Sequence, residues 1–332
     1  VCFDDGVIVT TGGWTDPTSS SEVHRTTASS NGVGGTALAL VSQSTFTARN
    51  GHAIARVMGN ADAFLVVGGY GGGWKNDALL TEDRGATFES KSNAVFTSGR
   101  YGTALVALGP ATFVAFGGQG SSGTRYNEVR RSTNSGVDWI TLECSGDAAM
   151  WSVRGYIAYA YMPLRNRILL AGGYGYSPTK KQDVWGSDDG GTCWERLSTD
   201  TNGYGGSGYY GASLVVATLG GVEILILAGG AVGGGNYLSS VYRSLDAGVN
   251  WEAISSSGLM WPGRVYSAMV YDHLNDRLAI MGGLTSGGRS NDFWTADVTS
   301  LFPPTAPTAP TAAPPAPAPA PAPCFHPETE LF

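Results

Sequence analysis

The chain has 332 residues, 49 of them glycine, with 42% apolar residues, only 14% charged residues and a net charge of −7. The 20 basic residues are scattered, so there is no electrostatic footprint for nucleic acid. No apolar run approaches the roughly 18 residues of a membrane-spanning helix, and the longest, residues 222–228, contains Glu223 and reads as a buried strand.

Low charge with abundant Gly, Ser, Thr and aromatic residues predicts short strands joined by tight turns, because glycine supplies the positive-φ positions those turns need. The sequence opens at Val1 with no charged-then-apolar leader, as expected of a mature, processed protein or a fragment. Four cysteines (Cys2, Cys144, Cys193, Cys324) and four histidines are scattered without C-x-x-C pairs, so zinc spacing is absent. An even number of scattered cysteines fits disulfides in an oxidising compartment, with three pairings open.

From the first residues onward one unit recurs. A short apolar run ending in Gly-Gly appears as VIVTTGG, FLVVGG, FVAFGG, ILLAGG, ILILAGG and LAIMGG, with second glycines Gly13, Gly69, Gly118, Gly173, Gly230 and Gly283. The steps are 56, 49, 55, 57 and 53 residues. Each pair leads through a Gly/Ser-rich loop into a strand-like segment: SEVHRT, NDALLT, NEVRRS, QDVWGS, SSVYRS and NDFWTA. In four copies a turn of S-x-D-x-G-x-x-W type follows: TEDRGATF, STNSGVDW, SDDGGTCW and SLDAGVNW. A further strand precedes the next Gly-Gly run: RNGHAIARV, RYGTALVAL, RGYIAYAYM, YYGASLVVA and RVYSAMVYD. Four strands per unit of roughly 50 residues, six times over, predict an all-β fold: a six-bladed β-propeller of four-stranded blades over residues 1–302.

The Gly-Gly units resemble the kelch family, and the turns resemble the Asp-box of sialidase-like and sortilin-like propellers; the likeness covers residues 7 to about 300. It implies a hairpin turn between the two outer strands, in which Asp83, Asn134, Asp189 and Asp246 accept local N–H bonds. Phe88, Trp139, Trp194 and Trp251 would wedge between neighbouring sheets. Cys193 is peculiar to its copy, and Cys144 follows the Trp139 strand, so these two are expected to bridge adjacent blades.

At the ends of the repeat the first blade lacks its Arg-type strand and the last lacks a clear outer strand. Residues 300–302 are expected to add a brief edge to the last blade. The final segment, CFHPETELF (324–332), is expected to donate a strand to the first, with Cys324 meeting Cys2. Between them, residues 303–323 have a composition that favours an extended polyproline II tail, about 65 Å long at ~3.1 Å per residue. Its Ala-Pro and Thr-Ala-Pro repeats resemble the hydroxyproline-rich glycomodules of algal and plant wall proteins. That resemblance implies hydroxylation and O-glycosylation at Pro303, Pro304, Pro307, Pro310, Pro314, Pro315, Pro317, Pro319, Pro321 and Pro323. No N-x-S/T sequon occurs. The Cys-Phe opening of 324–332 looks like the first residues of hedgehog-type autoprocessing domains, but nine residues cannot house that chemistry.

Candidate chemistry is sparse. Arg49, Arg100, Arg154 and Arg264 occupy equivalent positions in four blades. Sialidase-like propellers grip a carboxylate with three arginines, but a residue recurring in nearly every blade is expected to make the same structural bond in each. Tyr101, Tyr156, Tyr210 and Tyr266 recur beside them and read as packing. No tyrosine–acid nucleophile pair, galactose-oxidase-type copper set or dense acidic calcium loop can be assigned, so neither a catalytic set nor a cofactor is expected. Trp14, Tyr70, Trp74, Tyr174, Tyr176 and Tyr237 follow the Gly-Gly pairs on loops of one face, where aromatic rings either pack locally or stack on sugars. These features predict a secreted, non-enzymatic structural or adhesive glycoprotein of the cell surface. It would self-associate through its tail, as in a surface or flagellar filament, and contact glycans or extracellular matrix. The alternative is a carbohydrate-binding or sialidase-like propeller.

Overall fold

The computed structural model describes residues 1–15, 18–26, 38–41, 45–145, 150–176, 180–206, 208–254 and 261–301. Val1–Leu301 forms one compact unit. The tail at 303–323, the segment 324–332 and Cys324 lie outside the described residues.

The fold is a β-propeller whose described strands form six antiparallel blades. From the axis outward, the second blade runs Ala53–Arg56, Phe64–Val67, Ala78–Thr81 and Glu89–Ser92. The third runs Ala104–Ala107, Phe113–Phe116, Val129–Ser132 and Ile140–Thr141. The fourth runs Ala158–Met162, Arg167–Ala171, Val184–Ser187 and Glu195–Ser198. The fifth runs Tyr210–Leu219, Val222–Gly233, Val241–Ser244 and Glu252–Ala253. The Gly-Gly strands are the second of each blade and are buried on both faces, as in Phe64–Val67 and Phe113–Phe116. A strand sandwiched between neighbouring sheets needs a continuous apolar run rather than an alternating one, and these sequences supply it.

The two end blades depart from expectation. The first consists of Val9–Thr11, Val23–Thr26 and Leu38–Leu40, and residues 1–3 turn back beside residues 7–9 to take its inner position. Val9 N–H donates to Val1 O (2.9 Å), Phe3 N–H donates to Val7 O (2.8 Å), and Cys2 bridges Ile8. The donated strand expected from 324–332 therefore has no vacancy on this blade, because three residues too short to read as a strand already fill it. The last blade has three described strands: Ala268–Asp272, Arg277–Met281 and Phe293–Asp297. Residues 300 and 301, expected to add a brief edge, lie instead in the helical turn Val298–Leu301, whose first N–H is bound to Asp276 O at 2.7 Å, and residue 302 of that expected edge lies outside the described residues. The ring closes where Ile8 packs against Ala279 and Met281, while Asp4 and Asp5 ion-pair with Arg56 and Arg84 of the second blade.

Neighbouring blades are clasped through their Gly-Gly pairs. The second glycine's N–H donates to the backbone oxygen of the next blade's arginine, as in Gly69 to Arg100 and Gly118 to Arg154 (2.9 Å each). The first glycine lies so close that a Cβ on Gly68 would sit 2.7 Å from Arg100 O, at φ +66. Only glycine fits such an approach. Turns between third and outer strands drive the other contact. In the fourth blade, Ser187 Oγ donates to Asp189 Oδ1 and accepts Gly191 N–H, Asp189 accepts Cys193 N–H, and Trp194 Nε1 donates to Gly191 O. The same pattern is built on Asn134 with Trp139 and on Asp246 with Trp251. Asp83 forms it with Thr81 and Thr87 beside Phe88. Trp139, Trp194 and Trp251 are buried, and a Cβ on Gly191 would meet Val114 of the preceding blade at 3.0 Å. The turn is thus a wedge between sheets. A disulfide joins Cys144 to Cys193 (Cα–Cα 4.9 Å), tying the third blade's outer edge to the fourth blade's turn.

Candidate functional site

The recurring arginines sit just before the inner strands, and all four side chains are fully buried. Arg154 donates to Asp183 Oδ1 (2.5 Å) and Oδ2 (3.1 Å), to the backbone oxygen of Gly172 (3.0 Å), and from Nε to Ser152 O (2.9 Å). Arg49 makes the same set with Asp77 and Gly68 and Arg264 with Asp292 and Gly282, while Arg100 donates to Gly117 O and to one carboxylate oxygen of Glu128. Each guanidinium is thus spent inside its own blade, holding the carbonyl that the Gly-Gly bend would otherwise leave unpaired. Asp183 is held below the usual carboxylate range by hydrogen bonding to Arg154, against the opposing effect of burial. In the fifth blade Tyr209 replaces the arginine and Ser240 the acid, and the Gly229 carbonyl accepts the Tyr204 hydroxyl instead. The latch is lost as a pair, and its one indispensable bond is supplied from another position.

Two residues beyond each of the four arginines, and beyond Tyr209 in the fifth blade, lies a column of left-handed backbone: Gly51 (φ 60), Gly102 (φ 62), Tyr156 (φ 54), Gly211 (φ 62) and Tyr266 (φ 59). These five form a chain of hydrogen bonds from blade to blade around the axis. Gly102 N–H donates to Gly51 O, Tyr156 N–H to Gly102 O, Gly211 N–H to Tyr156 O and Tyr266 N–H to Gly211 O, at 2.7–2.9 Å. Glycine suits this conformation; tyrosine holds it at a cost of roughly 1–2 kcal/mol. Two bulky residues in such a conformation are the kind of local strain that clusters at functional positions.

Their rings converge at this mouth. Tyr156 lies 5.1 Å from Tyr266 and 5.2 Å from Tyr101, Tyr210 lies 5.2 Å from Tyr174, and Trp74 bridges Tyr70 (5.3 Å) and Tyr101 (4.9 Å). Arg125 stacks over Tyr174 at 4.6 Å and reaches Tyr176 at 5.9 Å. Tyr266 is 48% exposed and Tyr176 54%, so the cluster presents aromatic surface to solvent. Burial pushes the Tyr156 hydroxyl well above the ordinary phenol range, so it remains a protonated donor. Of the aromatic residues expected to stack on sugars, Tyr70, Trp74 and Tyr174 join the cluster, Tyr176 flanks it, and Tyr237 lies close enough to influence Tyr210 and Tyr266. Trp14 lies apart, under Arg289 of the last blade. Tyr101, Tyr156, Tyr210 and Tyr266, read from sequence as packing, form the centre. The signal that marks Tyr156 and Tyr266 was present in the repeat: tyrosine stands in a column otherwise occupied by glycine.

Below the inner-strand ends, a cavity of about 560 Å³ is lined from every blade, including Cys2, Ile54, Val106, Tyr159, Val215 and Val270. Cys2 has no disulfide partner among the described residues, and burial pushes its thiol up to about 12. The described residues contain no group of three or more His, Cys, Asp or Glu side chains placed to hold a metal ion. No described helix is long and apolar enough to cross a membrane.

Against this geometry one family model aligns. Residues 157–302, the fourth to sixth blades, match the DUF6242 beta propeller domain. No curated protein matches the chain.

Proposed function

We propose that this propeller is a non-enzymatic module of an extracellular structural or adhesive assembly, of kelch-like and Asp-box-like construction, joined to its neighbours through the Pro-rich tail. The observation that carries this reading is the fate of the repeated charges. All four arginines are buried and bound to their own blade's carboxylates, carbonyls or both, which supports a rigid frame rather than a substrate grip. The Cys144–Cys193 bridge fits an oxidising, extracellular setting. Modified prolines and self-association complete the proposal. Ending the chain at Leu301 is expected to leave a folded monomer and to abolish concentration-dependent assembly in sedimentation velocity. A truncated chain that assembles like the full one overturns the tail's role.

The axial tyrosines favour a second reading, carbohydrate binding at that mouth. Exposed, pre-packed aromatic rings offer stacking surface to sugars at little cost in side-chain ordering. Tyr156→Gly keeps a residue suited to the local φ, so it is expected to leave the unfolding midpoint nearly unchanged while removing glycan-array binding. Array binding that survives both this variant and Tyr174→Ala sinks the second reading.

A further inference from the structure

The Gly-Gly loops around the mouth close on themselves in the same way from blade to blade. Tyr70 pairs across its loop with Trp74, Gln119 with Arg125, and Tyr174 with Lys180. The second member of each pair reaches over the next blade. Trp74 packs on Tyr101 at 4.9 Å, and Arg125 stacks over Tyr174 at 4.6 Å. Lys180 extends over the fifth blade, where a Cβ on Gly233 would sit 3.0 Å from its Nζ. Three residues beyond these two cations stand the latch acids, Glu128 after Arg125 and Asp183 after Lys180. Glu128 is taken by Arg100 and Arg130, and Asp183 by Arg154, so neither acid neutralises the cation of its own loop. Neither Arg125 nor Lys180 forms an ion pair among the described residues. Arg125 Nη1 donates to Gly123 O at 2.9 Å, and its Nε has no hydrogen-bond partner among the described residues. Tyr174 thus lies between two cations, one over its ring and one directly across its loop. From it the aromatic surface runs on through Tyr210 (5.2 Å) to the half-exposed Tyr266 (6.0 Å further). In a chain of net charge −7, two cations without a counter-charge beside stacked rings make the mouth a place for an anion.

We propose that the mouth binds an acidic glycan, its sugar rings on Tyr266 and Tyr210 and its carboxylate or sulfate group at Arg125 and Lys180. This rests on the carbohydrate reading above and names the class of sugar. The rings supply contact area for the apolar face of a pyranose, and a guanidinium beside them supplies charge-assisted donors to an oxyanion. Because Arg125 is already held against Tyr174 and by Gly123 O, it loses little side-chain freedom when the anion arrives. The latch arginines cannot serve this purpose, since all four are buried inside their own blades. A neutral sugar would use the rings and leave both cations idle, so charge is the feature by which this site discriminates.

The test is calorimetric titration of the full chain with three oligosaccharide probes: tetragalacturonate, its methyl ester and a sulfated galactan tetrasaccharide. A poly-glutamate peptide is the fourth probe. One or both acidic sugars are expected to bind roughly tenfold or more tightly than the ester, which keeps the rings and removes the charge. Raising the salt to about 0.5 M is expected to shrink that preference. Arg125→Gln and Lys180→Gln are each expected to weaken acidic-sugar binding about tenfold, with the ester's affinity and the unfolding midpoint unchanged. Which acidic probe binds separates a carboxylate from a sulfate ligand. Equal binding of acid and ester overturns the role of charge and leaves the carbohydrate reading standing. An acidic preference that survives both substitutions overturns Arg125 and Lys180 as the anion site. Poly-glutamate bound as tightly as the acidic sugars overturns the glycan in favour of an acidic peptide. Binding of none of the three sugars overturns this inference, and the glycan array described above then decides the carbohydrate reading by itself.

Discussion

At the scale of single residues, the arginine latches explain how a sheet can bend sharply without losing hydrogen bonds. Arg154 serves a carboxylate and two carbonyls at once, so Arg154→Ala leaves Asp183 and the Gly172 oxygen without their partner. The expected loss is about 3–5 kcal/mol in urea unfolding. A double variant, Arg154→Met with Asp183→Leu, is expected to lose less than the two single changes summed, because they share one interaction. His52 gives the molecule an acid sensitivity of its own. Its Nε2 shares a hydrogen bond with Thr11 Oγ1 (2.8 Å), and burial first, then the neighbouring Arg49 charge, hold its imidazole down to about 3. In the unfolded chain it titrates near 6.5. Between those values the unfolded state binds the extra proton, so stability falls as the pH drops below about 6.5, by up to ~1.4 kcal/mol per pH unit. The depressed carboxyls of Asp183 and Asp292 act in the same sense at lower pH. His52→Gln is expected to flatten the change in urea midpoint between pH 6.5 and pH 4; an unchanged slope would assign the acid sensitivity elsewhere.

At the scale of elements, the wedge turns and the disulfide act on the same joint. Cys193 sits in the turn whose Trp194 packs against Phe116 (5.3 Å) and Trp151 (6.0 Å). The bridge closes a separation of 49 residues, for which loop entropy gives on the order of 4 kcal/mol. Cys144→Ser with Cys193→Ser is expected to lower the unfolding free energy by about that amount, and reductant is expected to have the same effect on the native chain and none on the variant. These elements were legible in the sequence because they repeat: SDDGGTCW reads as a frame only beside TEDRGATF, STNSGVDW and SLDAGVNW. The exceptions were not. Residues 1–3 are too few to carry a strand period, and Tyr204 enters the fifth blade's latch from outside the repeated column, so no alignment of units predicts it.

At the scale of the whole molecule, the periodic spacing of Gly-Gly pairs was enough to predict the propeller, because a closed ring asks the same geometry of each unit. The axial site was only half legible. The loop aromatics were visible as exposed types, but the convergence of Tyr101, Tyr156, Tyr210 and Tyr266 is a property of six strand ends meeting, which no single unit contains. The amides linking Gly51, Gly102, Tyr156, Gly211 and Tyr266 have a dynamic consequence. Each accepting residue belongs to one blade and each donor to the next, so swinging the third, fourth or fifth blade outward breaks bonds on both of its sides. The amides of residues 102, 156, 211 and 266 are therefore expected to exchange with deuterium at one common rate, set by opening of the ring as a whole. A spread of rates among those four would mean instead that the blades breathe one at a time.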